Sequence, residues 1–115
     1  MDGRVQLPVI KYVQRYFDAR YVDSITEPGP VRILAGRQNS AEAESIWQRV
    51  DISLEKHKSL GVAVVAHHDC AGNPLPKEEQ LKQLEKAVSV VREKYSAVQV
   101  VGLWVDEQWQ VQKIF

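Results

Sequence analysis

Apolar residues recur along the chain with two different periods, and these periods predict where helices and strands form. Apolar side chains spaced three or four residues apart mark residues 7–17, residues 40–60 and the stretch that Pro76 opens. Spacing of this kind gathers side chains onto one face of a helix. Asn39 or Ser40 can cap the second of these segments. The pattern therefore predicts three helices.

Shorter apolar runs, bounded by turn-forming residues, predict strands. The runs are rich in valine, isoleucine and aromatic residues, which favour pleated, half-buried segments. Strands are predicted on this basis at residues 21–26, 62–66, 98–105 and 109–115. Residues 27–30 (Glu-Pro-Gly-Pro) predict a turn, and residues 31–35 fit either a short helical turn or an extended segment.

The predicted elements alternate between helix and strand until a closing pair of strands. Alternation of this kind produces right-handed βαβ units and a mainly parallel sheet. The sequence therefore predicts an α/β fold, a three-layer sandwich with a mainly parallel central sheet, helices on both faces and a C-terminal antiparallel edge hairpin. No linker, repeat or low-complexity tract divides the chain, so residues 1–115 are predicted to form a single domain.

The composition argues against several classes of function. The 15 Lys and Arg residues balance 15 Asp and Glu residues without a basic cluster, so nucleic acid is not an expected partner. No apolar run approaches the roughly 20 residues that span a bilayer, so no membrane partner is expected. The single cysteine cannot form an internal disulfide, which favours a reducing, cytoplasmic location.

The residues after the apolar run 62–66 carry the candidate chemistry. His67 and Cys70 stand three residues apart where a buried strand gives way to a loop. Open α/β sheets bind ligands at the carboxyl ends of their strands. An imidazole and a thiolate at this spacing form half of a zinc site. Taken alone, Cys70 also fits a small buried apolar role.

The start of the chain adds a second motif, and the two together resemble a known family. Asp2 and Arg4 flank Gly3 there. In this pair and in His67-x-x-Cys70 the chain resembles the β-class carbonic anhydrases, which have a Cys-x-Asp-x-Arg motif after their first strand and a His-x-x-Cys motif after a later one. The resemblance spans nearly the whole chain and is closest to a compact branch of carbonic-anhydrase-like proteins. The segments that suggest this branch are Asp2-Gly3-Arg4-Val5-Gln6, Thr26-Glu27-Pro28-Gly29-Pro30 and His68-Asp69-Cys70-Ala71-Gly72-Asn73-Pro74.

The resemblance implies a Zn²⁺ site held by two thiolates and one imidazole, with His67 and Cys70 as metal ligands. It implies a zinc-bound hydroxide that hydrates CO₂ to bicarbonate. Asp2 and Arg4 are then the expected catalytic residues, because Arg4 pairs with Asp2 and Asp2 orients the metal-bound water. The resemblance also implies that, when Arg4 moves away from Asp2, the Asp2 carboxylate can replace the metal-bound water and close the site. A homodimer or higher homo-oligomer is the assembly that the resemblance implies.

The chain departs from the family pattern at its first motif. The cysteine of that motif falls one residue before Met1, and the family fold has a further central strand before it. We therefore expect the natural chain to begin upstream of Met1. We also expect the 115-residue chain by itself to bind zinc weakly and to hydrate CO₂ poorly.

Other functions fit the same residues. One alternative is a non-catalytic relative of this fold that binds an anion or a protein partner. Another is an enzyme with a different substrate, since related enzymes act on CS₂ or COS. A third hypothesis is a cysteine nucleophile, with Cys70 activated by His67 or His68. His68 also fits a surface role, and His57 fits a position at the edge of the core. Asp2 and Arg4 also fit a frayed chain terminus.

Overall fold

A computed structural model describes all 115 residues and contains four helices and three strands. The helices are α1 (Gly3–Tyr16), α2 (Pro30–Gly36), α3 (Ala41–Glu55) and α4 (Lys77–Lys94). The strands are β1 (Gly61–His67), β2 (Gln99–Val105) and β3 (Val111–Lys113). These elements form an α/β fold, as the sequence predicts. None of the helices combines the length and apolarity needed to cross a membrane.

Side-chain caps explain where the helices begin. The Asp2 carboxylate accepts a hydrogen bond from the Arg4 N–H at 2.9 Å, so α1 starts before the apolar stripe that predicts it. The Ser40 hydroxyl caps α3 by accepting from the Ala43 N–H at 3.2 Å, as its position predicts. Residues 31–35 lie in α2, where Pro30 supplies a helical φ at the first position.

The sheet has the order β1-β2-β3. β1 and β2 are parallel and in register from Gly61 opposite Gln99 to His67 opposite Val105. β2 and β3 are antiparallel, which confirms the predicted closing hairpin. β3 begins later than the predicted strand 109–115, because Trp109 adopts a left-handed φ of 60° in the turn before it, and β3 ends at Lys113.

The main core lies between the sheet and helices α2, α3 and α4. Leu84 and Val88 of α4 are almost fully buried, as is Trp104 of β2. They pack in one cluster with Val64 of β1 and Trp47 of α3. This cluster fixes the position of β1, and therefore of the loop that follows His67.

The predicted strand at residues 21–26 is not formed, and the sheet is correspondingly less parallel than expected. These residues are coil, and no backbone group from residue 21 to residue 27 bonds to another backbone group. Strand-forming residues do not make a strand without a neighbour to pair with, because the ladder supplies the hydrogen bonds. Only β1 and β2 form a parallel pair.

Candidate functional site

The His-x-x-Cys motif lies at the carboxyl end of β1, where the sequence places it. His67 is the last residue of β1, and both His67 and Cys70 are buried, each 7% exposed. Pairing with β2 continues one residue further, because the His68 N–H donates to the Val105 carbonyl at 2.9 Å. Asp69 then takes a left-handed φ of 54°, which turns the chain and brings Cys70 back toward the core.

The hydrogen bonds of His67 set which ring nitrogen is free. His67 Nδ1 lies 2.7 Å from the His68 carbonyl oxygen. A carbonyl oxygen only accepts, so Nδ1 carries a proton, and in the neutral ring Nε2 is the nitrogen that keeps its lone pair. An imidazole held in this way has one nitrogen available for a metal or a proton donor.

Gln80 bonds to the backbone at the end of β1, and no motif in the sequence identifies it. Its side-chain amide donates to the carbonyls of His67 and Leu75, at 3.1 Å in both cases, and the residue is 1% exposed. Position 80 stands four residues before the buried Leu84 on α4. A glutamine on the buried stripe of a helix is the sequence signal that points to such a role.

Asp2 and Arg4 form a closely hydrogen-bonded ion pair. Arg4 Nη2 donates to Asp2 Oδ2 at 2.6 Å, and Arg4 Nε donates to Asp2 Oδ1 at 3.0 Å. Hydrogen bonds from the Arg4 side chain and backbone hold the pKa of the Asp2 carboxyl far below its usual range. The same pairing, helped by Asp69, raises the pKa of Arg4. Asp2 is therefore an ionised hydrogen-bond acceptor across the neutral range.

Arg4 also joins the start of the chain to the His-x-x-Cys loop. Its Nη1 donates to Asp69 Oδ2 at 3.1 Å and its Nη2 to the Asp69 carbonyl at 3.2 Å. The indole of Trp109 stacks on the guanidinium, with the Arg4 carbon 4.4 Å from the ring centre, and His68 packs edge-on to the same indole. The contacts of Asp69 and Trp109 with Arg4 join residues far apart in sequence, and no local pattern marks them.

Two further segments of the resemblance contact each other beside the loop. A Cβ atom on Gly72 would lie 2.5 Å from the Pro28 carbonyl carbon, and one on Gly29 would lie 2.7 Å from the Gly72 oxygen. Asn73 is 1% exposed and donates to Gln83 Oε1 at 2.6 Å. The Pro28-Gly29 turn thus packs directly against the loop that carries Cys70.

The residues present do not complete a zinc site. No group of three His, Cys, Asp or Glu side chains comes together in the structure. Asp2 is engaged by Arg4, and His68 packs against Trp109. His57, expected at the edge of the core, is 60% exposed and pairs with Asp23 at 2.7 Å. The sequence predicts two zinc ligands, His67 and Cys70, and a zinc site needs at least one more.

An α/β fold with a buried His-x-x-Cys loop at a strand end and an Asp-x-Arg pair against that loop defines a carbonic-anhydrase-like protein. A family model described as "Putative carbonic anhydrase" matches residues 1–115, and the chain belongs to this family. No curated protein and no solved structure matched the chain.

Proposed function

We propose that this protein is a zinc-dependent carbonic anhydrase, which hydrates CO₂ reversibly to bicarbonate once its metal site is completed by a ligand from outside residues 1–115. The observation that supports the proposal is the convergence of Asp2 and Arg4 with the loop from His67 to Cys70. By itself the chain would supply two zinc ligands, His67 and Cys70.

His67 and Cys70 are the proposed metal ligands. Both are buried at the end of a rigid strand, and the His67 ring is fixed by its bond to the His68 carbonyl. Gln80 holds the His67 carbonyl in turn. Side chains held by such outer contacts lose little freedom when they bind a metal.

Asp2 and Arg4 are the proposed catalytic pair. The ionised Asp2 can only accept hydrogen bonds, so it would orient a water molecule by accepting one of its protons. Arg4 keeps that carboxylate in place by three hydrogen bonds between the two side chains. Trp109 and Asp69 hold Arg4 from two further sides.

A second candidate is a non-catalytic member of the family that binds an anion or a protein partner. The observation that favours it is the lack of a third ligand beside His67 and Cys70. The cysteine-nucleophile hypothesis has less support, because Cys70 is buried and no hydrogen bond joins its thiol to an imidazole.

The test is zinc affinity, measured by competition with a chromophoric chelator, on the 115-residue chain and three variants. We expect weak binding that falls at least about tenfold in Cys70→Ser and His67→Gln, because each removes a ligand. His57→Gln is the matched control, since His57 is exposed and paired with Asp23. Equal zinc binding by all four proteins would contradict the ligand assignment.

CO₂ hydration distinguishes the two candidate functions. We expect negligible activity from the 115-residue chain and zinc-dependent activity from a form to which a cysteine has been added directly before Met1, where the family motif has its cysteine. If this form binds zinc firmly and still does not hydrate CO₂, the result would favour the non-catalytic candidate.

A further inference from the structure

The turn between β2 and β3 holds a tryptophan in a backbone conformation that tryptophan rarely adopts. Trp109 has a φ of 60°, in the left-handed region. Side chains with a Cβ are disfavoured there, and glycine, asparagine and aspartate tolerate it best. Strained backbone persists only where surrounding contacts enforce it, and it is concentrated at functional sites. The indole of Trp109 is therefore a candidate for a role beyond the turn itself.

Asp106 enforces this conformation. The residue is 9% exposed, and its Oδ1 accepts hydrogen bonds from the backbone N–H groups of Gln108 and Gln110, both at 2.9 Å. Its Oδ2 accepts from the side-chain amide of Gln112 at 3.2 Å, and its carbonyl accepts from the Trp109 N–H at 3.0 Å. One buried aspartate thus fixes the backbone on both sides of Trp109.

The indole of Trp109 does not fill the main core. Trp47 and Trp104 belong to the core cluster and are at most 6% exposed, whereas Trp109 lies outside that cluster and is only partly buried. Its ring lies over Arg4, with the guanidinium carbon 4.4 Å from the ring centre, and the His68 ring packs edge-on at 6.4 Å between centres. The turn therefore places an aromatic ring at the candidate site and not in the core.

The indole covers the part of Arg4 that hydrogen bonds cannot reach. Nε and both terminal nitrogens of the guanidinium donate to Asp2 and Asp69. The N–H groups of a guanidinium lie in its plane, so they leave its two faces free for an aromatic ring. Trp109 occupies one of these faces without competing for a donor.

The ion pairs alone hold Arg4 loosely. Its side chain is 44% exposed, and exposed ion pairs are weak because ordering two long side chains costs entropy. Nη2 of Arg4 nevertheless reaches Asp2 Oδ2 at 2.6 Å and the Asp69 carbonyl at 3.2 Å at the same time. A fixed ring on the guanidinium face restricts Arg4 to the position in which both contacts form.

We propose that Trp109 is a positioning residue of the candidate site and that Asp106 acts through it. Asp106 fixes the turn, and the turn fixes the indole. The indole fixes the guanidinium of Arg4, which in turn holds the Asp2 carboxylate. The consequence for CO₂ hydration rests on the proposed function, whereas the contacts themselves do not require zinc.

Hydrogen exchange at the Arg4 Nε–H, followed by NMR on the 115-residue protein without zinc, tests the role of Trp109. Trp109→Phe keeps an aromatic face and Trp109→Leu removes it, and both variants keep an apolar side chain in the same turn. We expect exchange within about twofold of the wild-type rate in Trp109→Phe and about three- to tenfold faster exchange in Trp109→Leu, the size of a partly exposed cation–π contact. The δ protons of Arg4 should also lose their upfield ring-current shift in Trp109→Leu.

Two internal controls accompany the measurement. The Nε–H of Arg37, which has an exposed ion pair far from the turn in sequence, reports the exchange conditions. The amides of α4 report whether the fold is intact. A side chain that only fills space would be replaced equally well by Phe and by Leu, so equal Arg4 exchange in these two variants would overturn the role of Trp109.

Asp106→Ala tests the second step. We expect Arg4 exchange as fast as in Trp109→Leu, and no further increase when the two substitutions are combined, because residues that act through one contact are not additive. Asp106→Asn keeps Oδ1 as an acceptor and should stay within about twofold of the wild-type rate. Additive effects, or a loss of protection in α4, would overturn the role of Asp106, since it would then act on the site separately or on the whole fold.

Failure of the proposed function has a different signature. It appears as an absence of CO₂ hydration in the form with a cysteine added before Met1, whereas the exchange rates at Arg4 are measured without zinc on the unmodified chain. Wild-type exchange at Arg4 in Trp109→Leu would overturn the positioning role whatever the enzymatic result.

Discussion

The two sides of β1 show how far a strand depends on its neighbours. On one side, β2 pairs with β1 along its whole length, and Val101, Leu103 and Trp104 of β2 are at most 1% exposed. On the other side, residues 21–27 have a strand-forming composition and no backbone partner. Both segments carry strand-forming sequence, and only the one with a neighbour is a strand. Pairing, rather than composition, decides the difference.

The largest expected effect comes from truncating a buried leucine of the main core, with an exposed leucine of α1 as its control. Leu84 is 0% exposed in the cluster that packs on β1 and β2, whereas Leu7 of α1 is 58% exposed. We expect Leu84→Ala to lower the free energy of unfolding by about 2–5 kcal/mol, since it leaves a cavity. Leu7→Ala should change it by less than about 0.5 kcal/mol. Urea unfolding followed by circular dichroism measures both losses, and similar values would contradict the packing of Leu84 in the main core.

This contrast also explains what the sequence predicts well. α3 and α4 follow from their apolar spacing because each covers the packed side of the sheet. The strand at residues 21–26 was predicted from equally good local signals and is wrong for the structure, because local signals contain no information about a neighbour. The apolar stripe predicts the start of α1 at residue 7, which is too late, because the cap at Asp2 lies outside that stripe.

The candidate site shows the same limit. The positions of His67 and Cys70 at a strand end follow from a short local pattern. The contact of Arg4 with Asp69 joins residues 65 positions apart, and the stacking of Trp109 on Arg4 joins residues from opposite ends of the chain. Such contacts are set by tertiary packing, so no spacing in the sequence marks them.

The next largest loss of stability is expected at the contact between the Pro28-Gly29 turn and the loop that carries Cys70. Gly72→Ala would place a Cβ 2.5 Å from the Pro28 backbone, so we expect a loss of about 1–3 kcal/mol in the free energy of unfolding. Gly36 of α2 has no atom within 4 Å of such a Cβ, so Gly36→Ala should be neutral or stabilise the protein by up to about 1 kcal/mol. A tolerated Gly72→Ala would mean that the loop moves away from the turn at little cost.

Tyr95, which packs against the main core, is expected to make the stability of the protein sensitive to alkaline pH. Burial and the hydrogen bond to Asp51 Oδ1 at 2.7 Å raise the pKa of Tyr95 above its ordinary value of 10.0. A raised pKa in the folded state stabilises the protein fully below pH 10, and this contribution is lost as the pH rises above it. We expect Tyr95→Phe to cost about 1 kcal/mol at neutral pH and to weaken the fall in stability above pH 10.

Urea midpoints between pH 7 and pH 11 test this expectation. Tyr21→Phe is the control, because Tyr21 is 79% exposed. An identical alkaline fall in the wild-type protein and in Tyr95→Phe would remove Tyr95 as its source.

The smallest expected effect belongs to Asp2, the N-cap of α1, and it has the opposite dependence on pH. Hydrogen bonds from Arg4 lower the pKa of Asp2 below the ordinary value of 3.8. The stability that this pairing contributes is therefore present above about pH 4 and is lost as the pH falls through the folded pKa. Asp2→Asn keeps a good N-cap for α1 and removes the charge, so it isolates the ion pair from the cap.

We expect Asp2→Asn to be slightly less stable than the wild-type protein at pH 7, and we expect this difference to shrink as the pH falls below about 4, because the unfolded wild-type chain then binds a proton at Asp2 while the folded protein does so only at a lower pH. The exposed pair is also screened by salt, so the difference should shrink in 1 M NaCl. Glu107→Gln, at an exposed position in the turn before β3, is the control. If the difference between Asp2→Asn and the wild-type protein is the same at pH 7 and at pH 3, the contribution of Asp2 to stability comes from its capping geometry and not from its charge.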